Sequence, residues 1–163
     1  MIATSDIAKI IEEYDQTKLS IATLGSHSSL NIFKGAREEG FRTVCICKEK
    51  DAIMYQKYPV VDELIIVNDF TELLNEKLQE RLRKLNSVLI PHGSFTAYLS
   101  TKQLTDNLYV PMFGNRQLLH WEANRKSQEE WLRKAGLKLI ADGYVNLGRN
   151  QVRSAEADME KAC

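Results

Sequence analysis

Cysteine is scarce in this chain, and its placement excludes more than its number does. The 163 residues include three, Cys45, Cys47 and Cys163. An odd count, with two of them only two positions apart, is no secreted disulfide framework. No C-x-x-C pair offers a zinc site. A reducing cytosol is the expected setting, which makes the protein cytoplasmic. An excess of one charge is also missing: 22 Lys and Arg balance 22 Asp and Glu, for a formal net charge of zero. A neutral chain gives no general electrostatic case for nucleic acid or membrane partners, and only a local basic patch stays open. No apolar run approaches the ~18 residues of a membrane helix. The opening Met1-Ile2-Ala3-Thr4-Ser5-Asp6 lacks the basic start and apolar centre of a signal peptide.

What is present is enough for one ordinary domain, with or without a tail. A hydrophobic content of 44% argues against wholesale disorder. Ile7, Ile10, Ile11 and Tyr14 recur at helical spacing, with Thr4 or Ser5 as N-cap. Lys18 to Leu24, Arg42 to Cys47, Glu63 to Val67, Ser87 to Ile90 and Tyr109 to Met112 read as five short strands. Between them lie helical patterns: Ser28 to Glu39 ending at Gly40, Lys50 to Tyr58, a long leucine stripe through Leu74, Leu78, Leu82 and Leu85, and a stretch near Ala97 to Leu104. Asp69 and Glu72, and again Ser127 and Glu130, have capping-box spacing. Asn115 can cap a helix running through Trp121. Trp121 and Trp131 are expected in the core, as are Cys45 and Cys47 as small buried hydrophobes. Alternation of strand and helix predicts an α/β fold, a Rossmann-like open parallel sheet with helices on both faces. Residues 1–139 form that domain, and residues 140–163, poor in large apolar side chains, are expected to be a weakly packed tail.

Ligands of open α/β sheets bind beyond the carboxyl ends of the strands. Three such ends carry glycine and polar groups: Gly25-Ser26-His27-Ser28-Ser29, Pro91-His92-Gly93-Ser94 and Pro111-Met112-Phe113-Gly114-Asn115-Arg116. The first opens a helix, where free backbone N–H groups favour a phosphate, and Ser26, Ser28, Ser29 and His27 can add donors. A well-capped helix with a surface histidine is the alternative. A dinucleotide fingerprint is lacking, because His27 stands where a second glycine belongs, so NAD is disfavoured. Gly93 permits close backbone approach, while Ser94 either caps the next helix or binds a polar substrate group. No G-x-S-x-G elbow surrounds Ser94, which argues against a hydrolase. Arg116, at a helix start, is either an anion clamp or an exposed surface side chain.

Ile21-Ala22-Thr23-Leu24-Gly25-Ser26-His27-Ser28-Ser29-Leu30 resembles the N-terminal motif of the formate-dependent FAICAR synthetases, ATP-grasp ligases of purine biosynthesis. Gly40-Phe41-Arg42-Thr43-Val44-Cys45-Ile46, Pro91-His92-Gly93-Ser94-Phe95 and Val110-Pro111-Met112-Phe113-Gly114-Asn115-Arg116 continue the likeness in order, across Ser5 to Leu139. The resemblance implies the Rossmann-like domain that precedes an ATP-grasp module. It also implies a reaction that joins formate to the amino group of AICAR (5-aminoimidazole-4-carboxamide ribonucleotide) with ATP and magnesium. By motif position, His27 and Ser94 contact the AICAR nucleotide. Residues 140–163 do not resemble the ATP-grasp region that follows in the family and would bind ATP and magnesium. The chain alone is therefore expected to bind a ribonucleotide monophosphate without catalysis and without a cofactor. A truncated product, a frame change near residue 140 and a split enzyme stay open. So do a homo-oligomer, an interaction module docking on a separate ATP-grasp chain, and a domain for another mononucleotide.

Overall fold

The structure is a computed structural model and describes residues 1–137. Two apolar runs form strands close to their expected bounds: β1, Ser20–Leu24, and β2, Arg42–Lys48. From Thr43 to Cys47 every residue of β2 is buried, the mark of a strand covered on both faces. β3 (Glu63–Val67) pairs with β2, and β4 (Ser87–Leu89) pairs with β1. All pairs are parallel, and the order is β3-β2-β1-β4. Ser20 stands level with both Arg42 and Ser87, so the three strands start in step, and Leu24 at the carboxyl end of β1 stands level with Ile46 of β2.

Side chains alternate across the sheet with period two. Val44 and Ile46 of β2 join Ala22, Leu24, Ile65 and Val67 in the larger core. Helices α4 (Glu76–Lys84), α5 (Gly93–Tyr98) and α6 (Thr101–Asn107) close that core with Leu82, Phe95 and Leu104. Cys45 and Cys47 take the opposite face, against Phe33 of α2 (Ser29–Glu38) and Ala52 and Tyr55 of α3 (Glu49–Lys57). Helices thus cover both faces, as the Rossmann-like reading expects. Helix α1 (Thr4–Glu12) precedes the sheet; the residue at its cap position is Ala3, which makes no side-chain cap. Gly40 ends α2 at a φ of +84°, with its N–H on the Arg37 carbonyl.

Both described cysteines are fully buried and free. Burial pushes each thiol upward, so neither holds a nucleophilic thiolate near neutrality. Cys45 and Cys47 are therefore expected to resist iodoacetamide in the native protein and to react in denaturant, read by peptide mass spectrometry. Rapid native labelling of either would contradict the packing.

Three expectations change. The leucine stripe is interrupted: the Asp69–Glu72 capping box forms, but it starts a 3-10 turn over Phe70–Leu74, and Asn75 is extended before α4 begins. Tyr109 to Met112 is no full strand, since only Met112 bridges to Leu89. The reason is competition for the backbone. Gln79 Oε1 accepts from the Tyr109 N–H, Arg83 donates to the Tyr109 carbonyl at 3.1 Å, and Arg116 donates to the carbonyls of Leu108 and Val110. Pro111 has no N–H to offer a ladder. Finally, α7 (Leu118–Glu122) is followed by α8 (Arg125–Lys134), whose start is held by Asn124 accepting from the Ser127 N–H at 3.1 Å, so Ser127 is not the cap.

Met1–Gln128 forms one compact unit, and a second begins at Glu129. Within the second, Trp131 is 45% exposed, because the polar sequence around it offers no apolar stripe. Trp121 is half-buried. The boundary expected after residue 139 and the tail that follows lie outside the described residues. Among the described residues no helix is long and apolar enough to cross a membrane.

Candidate functional site

The strand order reverses beside β1. The chain runs outward from β1 to β2 and β3, then crosses back to place β4 on the other side of β1. At such a point the loops after the two central strands diverge and leave a crevice. A cleft of about 500 Å³ lies there. Gly25, Ser26, His27 and Ser28 line it from the loop after β1, and His92, Gly93 and Ser94 from the loop after β4.

The first loop is built by close packing. The Gly25 N–H donates to the Ile46 carbonyl at 2.7 Å, which holds the chain against β2. A Cβ at Gly25 would lie 2.7 Å from Cys47 Cβ and 3.0 Å from the Tyr55 ring and hydroxyl, so only glycine fits. Ser29 faces inward. Its buried hydroxyl donates to the Ser26 carbonyl at 2.7 Å, accepts from the Ser26 N–H at 3.1 Å and lies 2.9 Å from the Tyr55 hydroxyl. Ser26 Oγ accepts from the Ser28 N–H at 3.2 Å. Ser29 therefore shapes the loop and does not line the cleft. His27 is exposed on the rim, and neither its ring nor the Ser28 hydroxyl has a hydrogen-bond partner among the described residues.

The second loop is held by His92. Its Nε2 is 3.0 Å from the Leu24 carbonyl, and its Nδ1 accepts from the Ser94 N–H at 3.2 Å. A carbonyl can only accept, so Nε2 carries the proton and the ring is neutral. Burial lowers the imidazole pKa and outweighs the Leu24 hydrogen bond, which favours protonation. His92 thus ties the end of β1 to the start of α5 and caps that helix itself. Ser94 is relieved of capping, and its hydroxyl has no partner among the described residues while lining the cleft.

Arg116 is not brought to this cleft. It is half-buried and lines a separate cavity of about 360 Å³ with Met112, Asn115 and the amino-terminal residues. Its guanidinium donates to the carbonyls of Leu108 and Val110, and to that of Leu104 at 3.4 Å, so it holds the segment after α6. Helix α3 adds Asp51, Met54 and Tyr55 to the cleft, and α5 adds Ala97 and Tyr98. Sequence reading missed all five, because helix periodicity marks a buried face and says nothing about which helix end overhangs a strand terminus.

Residues 21–142 match the family described as "Protein of unknown function (DUF1246)". The chain belongs to this family. The 5-formaminoimidazole-4-carboxamide-1-(beta)-D-ribofuranosyl 5'-monophosphate synthetase of Archaeoglobus fulgidus is 50% identical over 133 residues, covering 82% of this chain and 36% of the relative. The synthetase of the same name from Methanobrevibacter smithii is 44% identical over 157 residues, covering 96% of this chain and 41% of that one. The crystal structure of the IMP biosynthesis protein PurP from Thermococcus kodakaraensis superposes with a TM-score of 0.64 at 32% identity, over 79% of this chain and 41% of PurP. N5-carboxyaminoimidazole synthetase from Staphylococcus aureus, at 18% identity and a TM-score of 0.57 over 75% of this chain and 31% of that one, shares the fold. This DUF1246 chain corresponds to the N-terminal domain of the FAICAR synthetase (PurP) family, and it spans 36% to 41% of these two synthetases and PurP.

Proposed function

We propose that the cleft between the β1 and β4 loops binds the AICAR substrate of a formate- and ATP-dependent FAICAR synthetase, and that this chain contributes the substrate-binding part of that enzyme. One observation carries the reading. His27 and Ser94, the two positions that the family motifs assign to the nucleotide, lie far apart in sequence, yet both line one cleft at the switch point with side chains that have no hydrogen-bond partner among the described residues. His27 and the start of α2 offer donors to a phosphate. Ser94 offers a hydroxyl to a polar group of the same ligand, and Ser26, Ser28, Gly25 and Gly93 supply backbone and side-chain surface between them.

The metal does not fit here: among the described residues no cluster of three His, Cys, Asp or Glu can hold an ion, and Asp51 is the one carboxylate on the cleft. Phosphoryl transfer requires charge neutralisation around the phosphates. The cleft is therefore proposed to hold AICAR, with ATP and magnesium held elsewhere in the synthetase.

Calorimetry with AICAR tests the reading. His27→Ala and Ser94→Ala are each expected to weaken binding about tenfold, the loss of one hydrogen bond to a charged or polar ligand group. Gly93→Ala is the sharper probe, because a Cβ there meets nothing within 4 Å in the free protein. Its thermal stability is expected to match the parent while AICAR binding weakens. Wild-type affinity in all three variants would place the ligand elsewhere.

A further inference from the structure

Tyr98, at the end of α5, is 53% exposed and lines the cleft. An exposed tyrosine at a helix end is ordinarily mobile, but this one is braced. Its ring packs on Phe70 with centroids 4.9 Å apart at 47°. Phe70 is itself only 3% exposed and belongs to the larger core. Lys48, at the carboxyl end of β2, places Nζ 5.3 Å from the Phe70 ring centroid and 5.7 Å from that of Tyr98, and pairs with Asp69 at 3.4 Å. A cation near both rings and a core phenylalanine beneath fix the tyrosine plane. The helix carrying Tyr98 begins at Gly93 and Ser94, so the loop proposed to hold the ligand and this ring belong to one short rigid element.

We infer that Tyr98 is the surface on which the planar heterocycle of the bound ribonucleotide stacks, with Phe70 and Lys48 as its positioning residues. The inference rests on the proposed nucleotide reading of the cleft and adds the part of the ligand that Tyr98 recognises. A pre-ordered aromatic face loses little freedom on binding, and base–aromatic stacking tolerates any flat ring. The two loops supply the serine hydroxyls and imidazoles of the cleft, whereas Tyr98 brings an exposed aromatic ring to its lining. His27 and Ser94 then address the phosphoribosyl part, and Tyr98 the base.

The test is AICAR titration of the full chain and two variants, followed by calorimetry and by proton NMR of the ligand's single imidazole C2–H. Tyr98→Leu is expected to raise the dissociation constant about tenfold, the scale of one lost base stack. Tyr98→Phe keeps the ring and is expected to stay within about twofold. In the wild type and in Tyr98→Phe the C2–H resonance moves upfield on binding, and in Tyr98→Leu that ring-current shift disappears. A purely structural tyrosine would change affinity without carrying this signature. Unchanged affinity in Tyr98→Leu, or AICAR binding to the wild type with no upfield shift, overturns the stacking assignment and leaves the nucleotide cleft standing. Absence of AICAR binding by folded wild-type protein overturns both.

Discussion

Replacing Gln79 with alanine is expected to destabilise the fold by about 3 kcal/mol, from the penalty of leaving backbone groups unpaired. Gln79 is 1% exposed on α4. Its amide donates to the carbonyls of Leu74 and Asn107, each at 2.9 Å, and accepts from the Tyr109 N–H. One side chain thus satisfies three main-chain groups from the 3-10 turn, the end of α6 and the segment that takes the place of a fifth strand. Alanine removes all three bonds and leaves a void. Leucine, close in volume, restores the packing and none of the bonds, so Gln79→Leu is expected to recover only a minority of the loss. Urea unfolding of the three proteins measures this, with the midpoint shift read at constant slope. A leucine variant as stable as the parent would show that volume, not hydrogen bonding, matters at this position.

The second large effect is at Gly25. A Cβ would be driven to 2.7 Å from Cys47 Cβ, an atom fixed to the β2 backbone that cannot rotate away. Tyr55, also at 3.0 Å, is 2% exposed and cannot yield freely either. Overpacking of this kind costs about 1–3 kcal/mol, and Gly25→Ala is expected to fall in that range. It should also weaken AICAR binding, because displacing Gly25 displaces the Ser26–Ser29 hydrogen bonds that set the loop. Gly93→Ala provides the contrast within the same cleft: space is open there, so stability should hold. Thermal melts of the two variants side by side separate a glycine required by the fold from one that leaves room for a ligand. Equal melting temperatures for both would contradict the packing around β1.

The contrast between these glycines also shows what sequence can and cannot reveal. Both stand after a strand and before a helix, and both look alike on that basis. The difference lies in what approaches them, Cys47 and Tyr55 in one case and nothing in the other, and neither neighbour is near in sequence. The central strands were legible because burial on both faces forces continuous apolar runs, and β3 begins and ends where the pattern says. The fifth strand misled because Tyr109 to Met112 has strand composition, while Gln79, Arg83 and Arg116 take its backbone groups. Arg116 illustrates the same limit. An arginine after Gly114-Asn115 suggests an anion clamp, but its guanidinium is already held by main-chain carbonyls that are invisible without the fold. His92 is the converse: an imidazole is not among the usual N-caps, so the sequence leaves Ser94 between capping and ligand contact, and the geometry, with His92 as the cap, releases Ser94 for other contacts.

Within the cleft, the two loops were readable from their glycine and polar composition, and the family motifs selected His27 and Ser94 among several candidates. The walls from α3 and α5 were not readable. Tyr55 has the signature of a core residue and is one, with its hydroxyl 2.9 Å from Ser29 and its ring edge-on to Phe33. Its role in the cleft comes from holding the first loop in place.

The proposal that one nucleotide spans the β1 and β4 loops is tested most directly by a heteronuclear NMR titration of the isotopically labelled 163-residue chain with AICAR. Saturable amide shifts are predicted at Gly25 to Ser28 and at His92 to Ser94 together, with a single affinity for both groups. Shifts centred instead on Met112 to Gln117, beside the separate cavity at Arg116, or no shifts with millimolar ligand and a folded protein, would contradict it.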